Sequence, residues 1–313
     1  MTSRPLRGVL QTFGLPRATY YRWTERQTVG TLTDQIIVPA RHVLAPTPAE
    51  VAAVCQFARV HPEMGYKRLA WQMVDKDVAY LKPHQVYGVL TTNNLLTRQA
   101  KPDAGSLRRP PEPDHPDQVW HTDLMYLFIR PRWYYLVDIL DGYSRYLVAW
   151  SLNLTMAAET VTSTMQQALD RLSGRLPGEP RIVHDHGSQF VSTEWHRFVS
   201  AAGVTDIKTR VAHPESNGRV ERLHRTHREE GLLDDDLGSY YAACDGMTRW
   251  GTYYNTERPH SSLGYLYPVD YYRGDPVTRI AERQEKLGEA LKQRQAYWQT
   301  DSGVKGQDNP SLD

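Results

Sequence analysis

Residues 118–151 read QVWHTDLMYLFIRPRWYYLVDILDGYSRYLVAWS, and three runs rich in aromatic and β-branched residues lie within them: Gln118 to Phe128, Trp133 to Leu140 and Arg145 to Ser151. Arg130-Pro131 and Asp141-Gly142 supply turn residues between the runs. Side chains suited to a pleated surface, punctuated in this way, predict three antiparallel strands in a meander. Downstream the pattern alternates. A helix is expected over Ala157 to Leu172, a strand over Arg181 to His184, a helix over Ser192 to Ala201, a strand over Thr205 to Lys208, and a helix from about Glu215 to Glu230. The order βββαβαβα predicts an α/β core over residues 118–235.

Residues 99–117 precede this core with five prolines and almost nothing to bury, the composition of an extended linker. Before the linker the chain reads as helical. A block over residues 47–98 opens at Thr47-Pro48, breaks at Gly65 and resumes over Tyr66 to Val74 and Pro83 to Asn93, with Lys67, Arg68, Lys76 and Lys82 recurring through it. Two short helices, 5–12 and 16–24, surround Gly14 within residues 1–30. That spacing suits a helix-turn-helix, with Arg17 and Arg22 toward phosphate and Thr19 and Tyr20 toward a groove edge; a small helical hairpin packed on aromatics has the same pattern. After the core, residues 236–278 form a core-associated segment. A helix over residues 279–300 carries Ile280, Leu287, Leu291 and Trp298 along one face, which suits either a second protomer or the chain's own core. Residues 301–313 are expected to be disordered.

The 313 residues suffice for about two domains, and no run of about 18 apolar residues suggests a membrane span. The amino-terminal residues lack the apolar stretch of a secretory signal, so the protein is expected to remain where it is made. Cys55 and Cys244 lie far apart, which argues against a disulfide framework or a cysteine-rich zinc site. The net charge of +1 conceals an asymmetry: residues 1–110 hold 15 Lys and Arg against 7 Asp and Glu, leaving the remainder at −7. A basic amino-terminal third suits a polyanion, and an acidic remainder suits cations.

Three acids bear on the chemistry. Asp123 falls in the first strand of the core, Asp185 at the carboxyl end of the fourth, and Glu221 on the last helix, with 35 residues between Asp185 and Glu221. In a βββαβαβα sheet the first and fourth strands can be neighbours, so two of these carboxylates can meet at one sheet edge with the third supplied by a flanking helix. Crowded anions repel, and burial raises their pKa values, so the cluster needs cations or protons. Oxygen-only ligands suit Mg²⁺, with Mn²⁺ as a substitute, better than zinc. Two such ions, bridged by Asp123, serve in-line displacement at a phosphodiester. Taken singly, each acid also reads as a turn or capping residue.

The segments His121-Thr122-Asp123, His184-Asp185-His186-Gly187-Ser188-Gln189-Phe190 and His213-Pro214-Glu215-Ser216-Asn217-Gly218-Arg219-Val220-Glu221-Arg222 resemble the three signature blocks of the retroviral-integrase superfamily. Tyr254-Asn255-Thr256-Glu257-Arg258-Pro259-His260-Ser261-Ser262-Leu263-Gly264-Tyr265 resembles the tail that follows this core in bacterial insertion-sequence transposases, and residues 47–98 are similar to the helical region that precedes it. The resemblance covers roughly residues 47–275. It implies an RNase H-like core, a mixed five-stranded sheet with flanking helices, preceded by helix-turn-helix-type DNA-binding regions. It also implies that Asp123, Asp185 and Glu221 are the catalytic, metal-binding triad of a transposase that cleaves and joins DNA. Expected partners are double-stranded DNA, at least one further copy of the chain, and an accessory DNA-binding protein; the expected place is the bacterial cytoplasm, at the nucleoid. A nuclease without joining activity and a DNA-binding regulator with an inactive core are the rival readings.

Around the acids, Asn217 reads as a helix cap or as a residue orienting substrate. Arg222, Arg225 and Arg228 read as a phosphate-facing row or as a solvated face paired with Glu229 and Glu230. His184 and His186 read as local hydrogen bonders or DNA contacts. Arg258 and His260, among tyrosines, suit stacking on displaced bases, phosphate contact, or plain packing.

Overall fold

A computed structural model describes residues 6–28, 30, 44–96, 112–172, 180–185, 187–208, 218–232 and 236–304. The chain divides into two compact units, residues 1–43 and 44–313. The first unit holds α1 (Leu6–Thr12) and α2 (Arg17–Thr28), joined through Gly14 at φ 63°. A positive φ is where glycine is favoured, so the turn between these helices follows from that residue.

In the second unit, α3 (Pro48–Val60), α4 (Tyr66–Asp75) and α5 (Pro83–Thr92) pack around Val54, Leu69, Met73, Leu81 and Val86. Thr47 and Glu50 form a reciprocal capping box at the start of α3, satisfying backbone N–H groups that the helix leaves open. The core follows as β1 (Val119–Ile129), β2 (Arg132–Asp141), β3 (Leu147–Asn153), α6 (Ala158–Asp170), β4 (Arg181–His184), α7 (Thr193–Ala202), β5 (Thr205–Lys208) and α8 (Gly218–Glu230). The expected order of elements holds; residues 215–217, assigned from sequence to the last helix, lie outside the described residues.

The five strands lie in the order β3-β2-β1-β4-β5, with β1 antiparallel to β2 and parallel to β4. This mixed sheet is the RNase H-like arrangement. Strand alternation divides its side chains between two cores. Trp120, Val137, Ile139 and Ile182 meet Val161, Met165, Trp195 and Val199 from α6 and α7. Met125, Ile129, Leu136 and Leu140 face the other way, against Val220 and Leu223 of α8 and Met247, Trp250 and Tyr254 of α9 (Tyr240–Thr256). Asp123 shares the parity of Met125, and Asp138 that of Leu136, so both acids point to the α8 face.

A short α10 (Pro268–Tyr272) leads to α11 (Pro276–Val304). This last helix lies along its own chain. Arg283 donates to both oxygens of Asp75 at 2.8 and 2.6 Å, Arg294 to Glu50 at 2.8 Å, and the Trp298 indole to the Ala45 carbonyl at 2.8 Å. The face it buries is therefore Arg283, Leu287, Ala290, Arg294 and Trp298, while Ile280 and Leu291 are exposed. Half of the apolar stripe read from sequence is displaced by arginines that find carboxylate partners. The expected disorder from residue 301 also gives way to helix as far as Val304; residues 305–313 lie outside the described residues. None of the described helices is long and apolar enough to cross a membrane.

Candidate active site

The β1–β4 ladder runs in parallel register from Val119 opposite Arg181 to His121 opposite Val183. Beyond the same end of this ladder, β1 continues to Asp123, and Asp185 directly follows β4. On the other side of β1, Asp123 stands directly opposite Asp138 of β2. Glu221 sits in the first turn of α8, which crosses this face, and is exposed. The sheet thus supplies two of the three expected acids and the helix the third.

Asp123 shows the electrostatics of this crowding. Burial raises its carboxyl pKa to about 6, the charges of Asp185 and Glu221 push in the same direction, and His224 together with the Leu124 N–H pulls back. Its Oδ1 accepts from the Leu124 N–H at 2.8 Å, and Oδ1 of Asp185 accepts from the Gly187 N–H at 2.9 Å. Among the described residues, no group of three or more His, Cys, Asp or Glu side chains stands close enough together to hold a metal ion. The donors present are carboxylate oxygens at a partly open edge, the chemistry that suits a hard divalent cation, and the excess of negative charge around Asp123 favours one.

Two residues escaped the sequence reading. His224, one turn after Glu221, places Nδ1 3.8 Å from Asp123 Oδ2 and Nε2 3.2 Å from Asp138 Oδ2. Asp138 is fully buried, and neither of its oxygens accepts a well-aligned hydrogen bond among the described residues. An imidazole between two carboxylates links β1, β2 and α8 at the point where the acids gather. The signal was present in the sequence: an acid interrupts the apolar run of β2, and a histidine follows Glu221 at helical spacing.

The remaining candidates separate clearly. His184 is buried, stacked on Phe190 at 4.3 Å and paired with Asp206 at 2.5 Å, so it is a local hydrogen bonder. His186 and Asn217 lie outside the described residues. Arg222, Arg225 and Arg228 are exposed, and among the described residues no ion pair ties any of them down. Glu230 instead takes Arg258 in a two-pronged contact at 2.6 and 2.8 Å and Arg68 at 3.1 Å. Burial pushes the Glu230 carboxyl up, but those two arginines outweigh it and hold the group below its usual value. Arg258, His260 and Tyr254 are all buried, which favours packing over contact with displaced bases. Burial, reinforced by Arg258 and other nearby arginines, lowers the His260 pKa to about 3.

With this geometry in place, two family models described as "Integrase core domain" match residues 113–214 and 202–268. The transposase for insertion sequence element IS904 of Lactococcus lactis is 30% identical over 158 residues, 50% of this chain and 61% of that protein. An uncharacterized 39.2 kDa protein of insertion element IS476 from Xanthomonas euvesicatoria is 25% identical over 74% of this chain and 67% of its own length. The first match thus spans less than two thirds of its relative. Among solved structures, the HTLV-2 integrase catalytic core domain in complex with magnesium is 18% identical, covering 51% of this chain and 98% of that one at a TM-score of 0.40.

Proposed function

We propose that this chain, which carries the integrase core domain found in bacterial insertion-sequence transposases, cleaves the ends of a mobile DNA element and joins them to target DNA. The observation that carries the reading is the convergence at Asp123. Asp185 directly follows β4, the parallel neighbour of β1, and Asp185 and Glu221 both raise the pKa of Asp123.

Asp123, Asp185 and Glu221 would hold Mg²⁺ or Mn²⁺, two ions in all. The metal would supply Lewis-acid stabilisation of the oxygens exchanged at phosphorus. The protein's own part is placement. Asp123 is held on rigid β1, with its Oδ1 fixed by the Leu124 N–H and Oδ2 facing His224. Asp138 Oδ2 lies 3.2 Å from the far side of that imidazole. Glu221 rides on a helix whose Val220 and Leu223 are locked in the core, so its exposed carboxylate is presented from a rigid support. Arg222, Arg225 and Arg228 follow it as cations free to take phosphates.

DNA binding is assigned to the α1–α2 pair within residues 1–30 and to the helical region 47–98, joined by the 99–117 linker to the catalytic core at 118–235. Residues 236–278 and the helix beginning near 279 complete the fold. Bringing two element ends together requires at least a dimer on DNA, with an accessory DNA-binding protein as a further partner, in the bacterial cytoplasm at the nucleoid.

Product length tests the proposal. Incubating the protein with end-labelled element DNA and a divalent cation should give strands longer than the substrate. Shortened strands alone would assign a nuclease, and bound but unchanged DNA a regulator.

A further inference from the structure

Between α4, α5 and α11 lies an open groove of about 560 Å³, lined by Tyr66, Lys67, Trp71, Lys82, His84 and Tyr87, with Pro83, Gln284 and Leu287 completing it. Resting on the transposase reading above, we propose that this groove takes one unpaired nucleotide of the bound DNA strand. The base lies against Tyr66, Trp71 and Tyr87, and the flanking phosphates on Lys67 and Lys82.

The lining decides the ligand class. It contains two lysines, a histidine and three aromatic rings, and no aspartate or glutamate. Lys67 and Lys82 are exposed, so their charge is available to a ligand, and His84 beside them is exposed too. Tyr87 is 45% exposed and meets Tyr66 edge to face at 5.2 Å. An aromatic ring held at the surface against another ring, beside cations, is the composition of a single-strand contact: the ring meets the π-face of a base and the cations meet its backbone. A paired duplex keeps the faces of its internal bases stacked, so the aromatic wall selects for a base that is unpaired. The volume is that of a small-ligand site, within the range of about 300–1,000 Å³.

The groove is also held in shape. Arg283 lies over the Trp71 ring at 5.0 Å while both Asp75 oxygens clamp its guanidinium, and Leu287 of the same helix is buried. α11 therefore supplies one wall and fixes the indole, so the aromatic surface exists before DNA arrives, which reduces the ordering cost of binding.

The test is fluorescence anisotropy on the full chain with three labelled probes: a blunt duplex, the same duplex with a short single-stranded end, and an acidic glutamate peptide. Tyr87→Ala should weaken binding of the overhang probe by about tenfold, within the range for loss of one base-stacking contact, and leave the blunt duplex unchanged. Tyr87→Phe should restore it. Lys82→Gln should lower the salt dependence of overhang binding by about one phosphate contact. Circular dichroism identifies any variant that fails to fold, and Lys67→Gln then replaces Tyr87→Ala, with the same selective loss expected. Equal losses on blunt and overhang probes, or no loss on either, overturn the inference while leaving the transposase reading intact. Preference for the glutamate peptide assigns the groove to an acidic protein segment and also overturns it. Failure to bind either DNA probe removes the transposase reading, and the inference with it.

Discussion

Replacing Asp123 with asparagine should make the metal-free protein more stable. The carboxyl is raised from 3.8 to about 6 in the folded state, and its side chain is only 21% exposed. A rise of about two pH units corresponds to about 3 kcal/mol by which folding is disfavoured once the group is ionised. The sign follows from proton binding. Between about pH 3.8 and 6 the folded state holds more protons than the unfolded, so stability falls as pH rises through this window, with the full cost present above it. The amide of the variant keeps an oxygen for the Leu124 N–H and carries no charge. In urea melts without metal, the variant should therefore exceed wild type by about 3 kcal/mol at pH 8, by about half that at pH 5, and by almost nothing at pH 3.5. Saturating Mg²⁺ or Mn²⁺ should stabilise wild type at pH 8 and narrow the gap, with little effect on the variant. A gap that stays the same from pH 3.5 to 8, or a variant less stable than wild type at pH 8, would refute the electrostatic reasoning.

Other substitutions probe different parts of the structure. Arg283→Ala removes the two-pronged partner of a buried Asp75, leaving it Tyr267 and the more distant Arg279, and should cost about 3 kcal/mol in chemical denaturation, whereas Arg249→Ala, whose side chain is largely exposed, should cost under about 1 kcal/mol. His224→Ala should destabilise the core, and combining it with Asp138→Leu should recover much of the loss; additive losses in the double-mutant cycle would mean that the two are not coupled. Converting Arg222, Arg225 and Arg228 to glutamine should leave melting temperature within a few degrees and reduce the slope of DNA affinity against salt by about 0.9 per phosphate lost. An unchanged slope would remove these residues from the DNA path. Burial keeps His260 neutral to about pH 3 and His227 to about pH 4, so each costs stability as pH falls below 6.5, a loss that His260→Gln should lessen in acid titrations.

The sheet was legible because its cues are local. Aromatic and β-branched runs, broken at Asp141-Gly142, placed β1 to β3 within two residues of their observed starts, and element order alone made β1 and β4 neighbours. That neighbourhood puts Asp123 and Asp185 beyond the same end of the β1–β4 ladder. What escaped depends on partners remote in sequence. Asp138 reads as an isolated acid until the sheet sets it opposite Asp123 and α8 delivers His224. Nothing in the sequence around Arg283 and Arg294 on α11 marks their partners, Asp75 and Glu50, which lie more than 200 residues earlier. Arg258 is similar: its sequence context suits phosphate contact, and Glu230 claims it instead. Long cationic side chains can be assigned to solvent, DNA or an internal carboxylate only after the fold fixes which acid is within reach.

The most direct measurement compares wild type with Glu221→Gln and Asp185→Asn on labelled element-end DNA in Mg²⁺ or Mn²⁺, recording joined products and DNA affinity on the same samples. Joined strands from wild type, absent in both variants at undiminished affinity, are the predicted result. Joining that survives either substitution would contradict the assignment of these carboxylates to the chemistry.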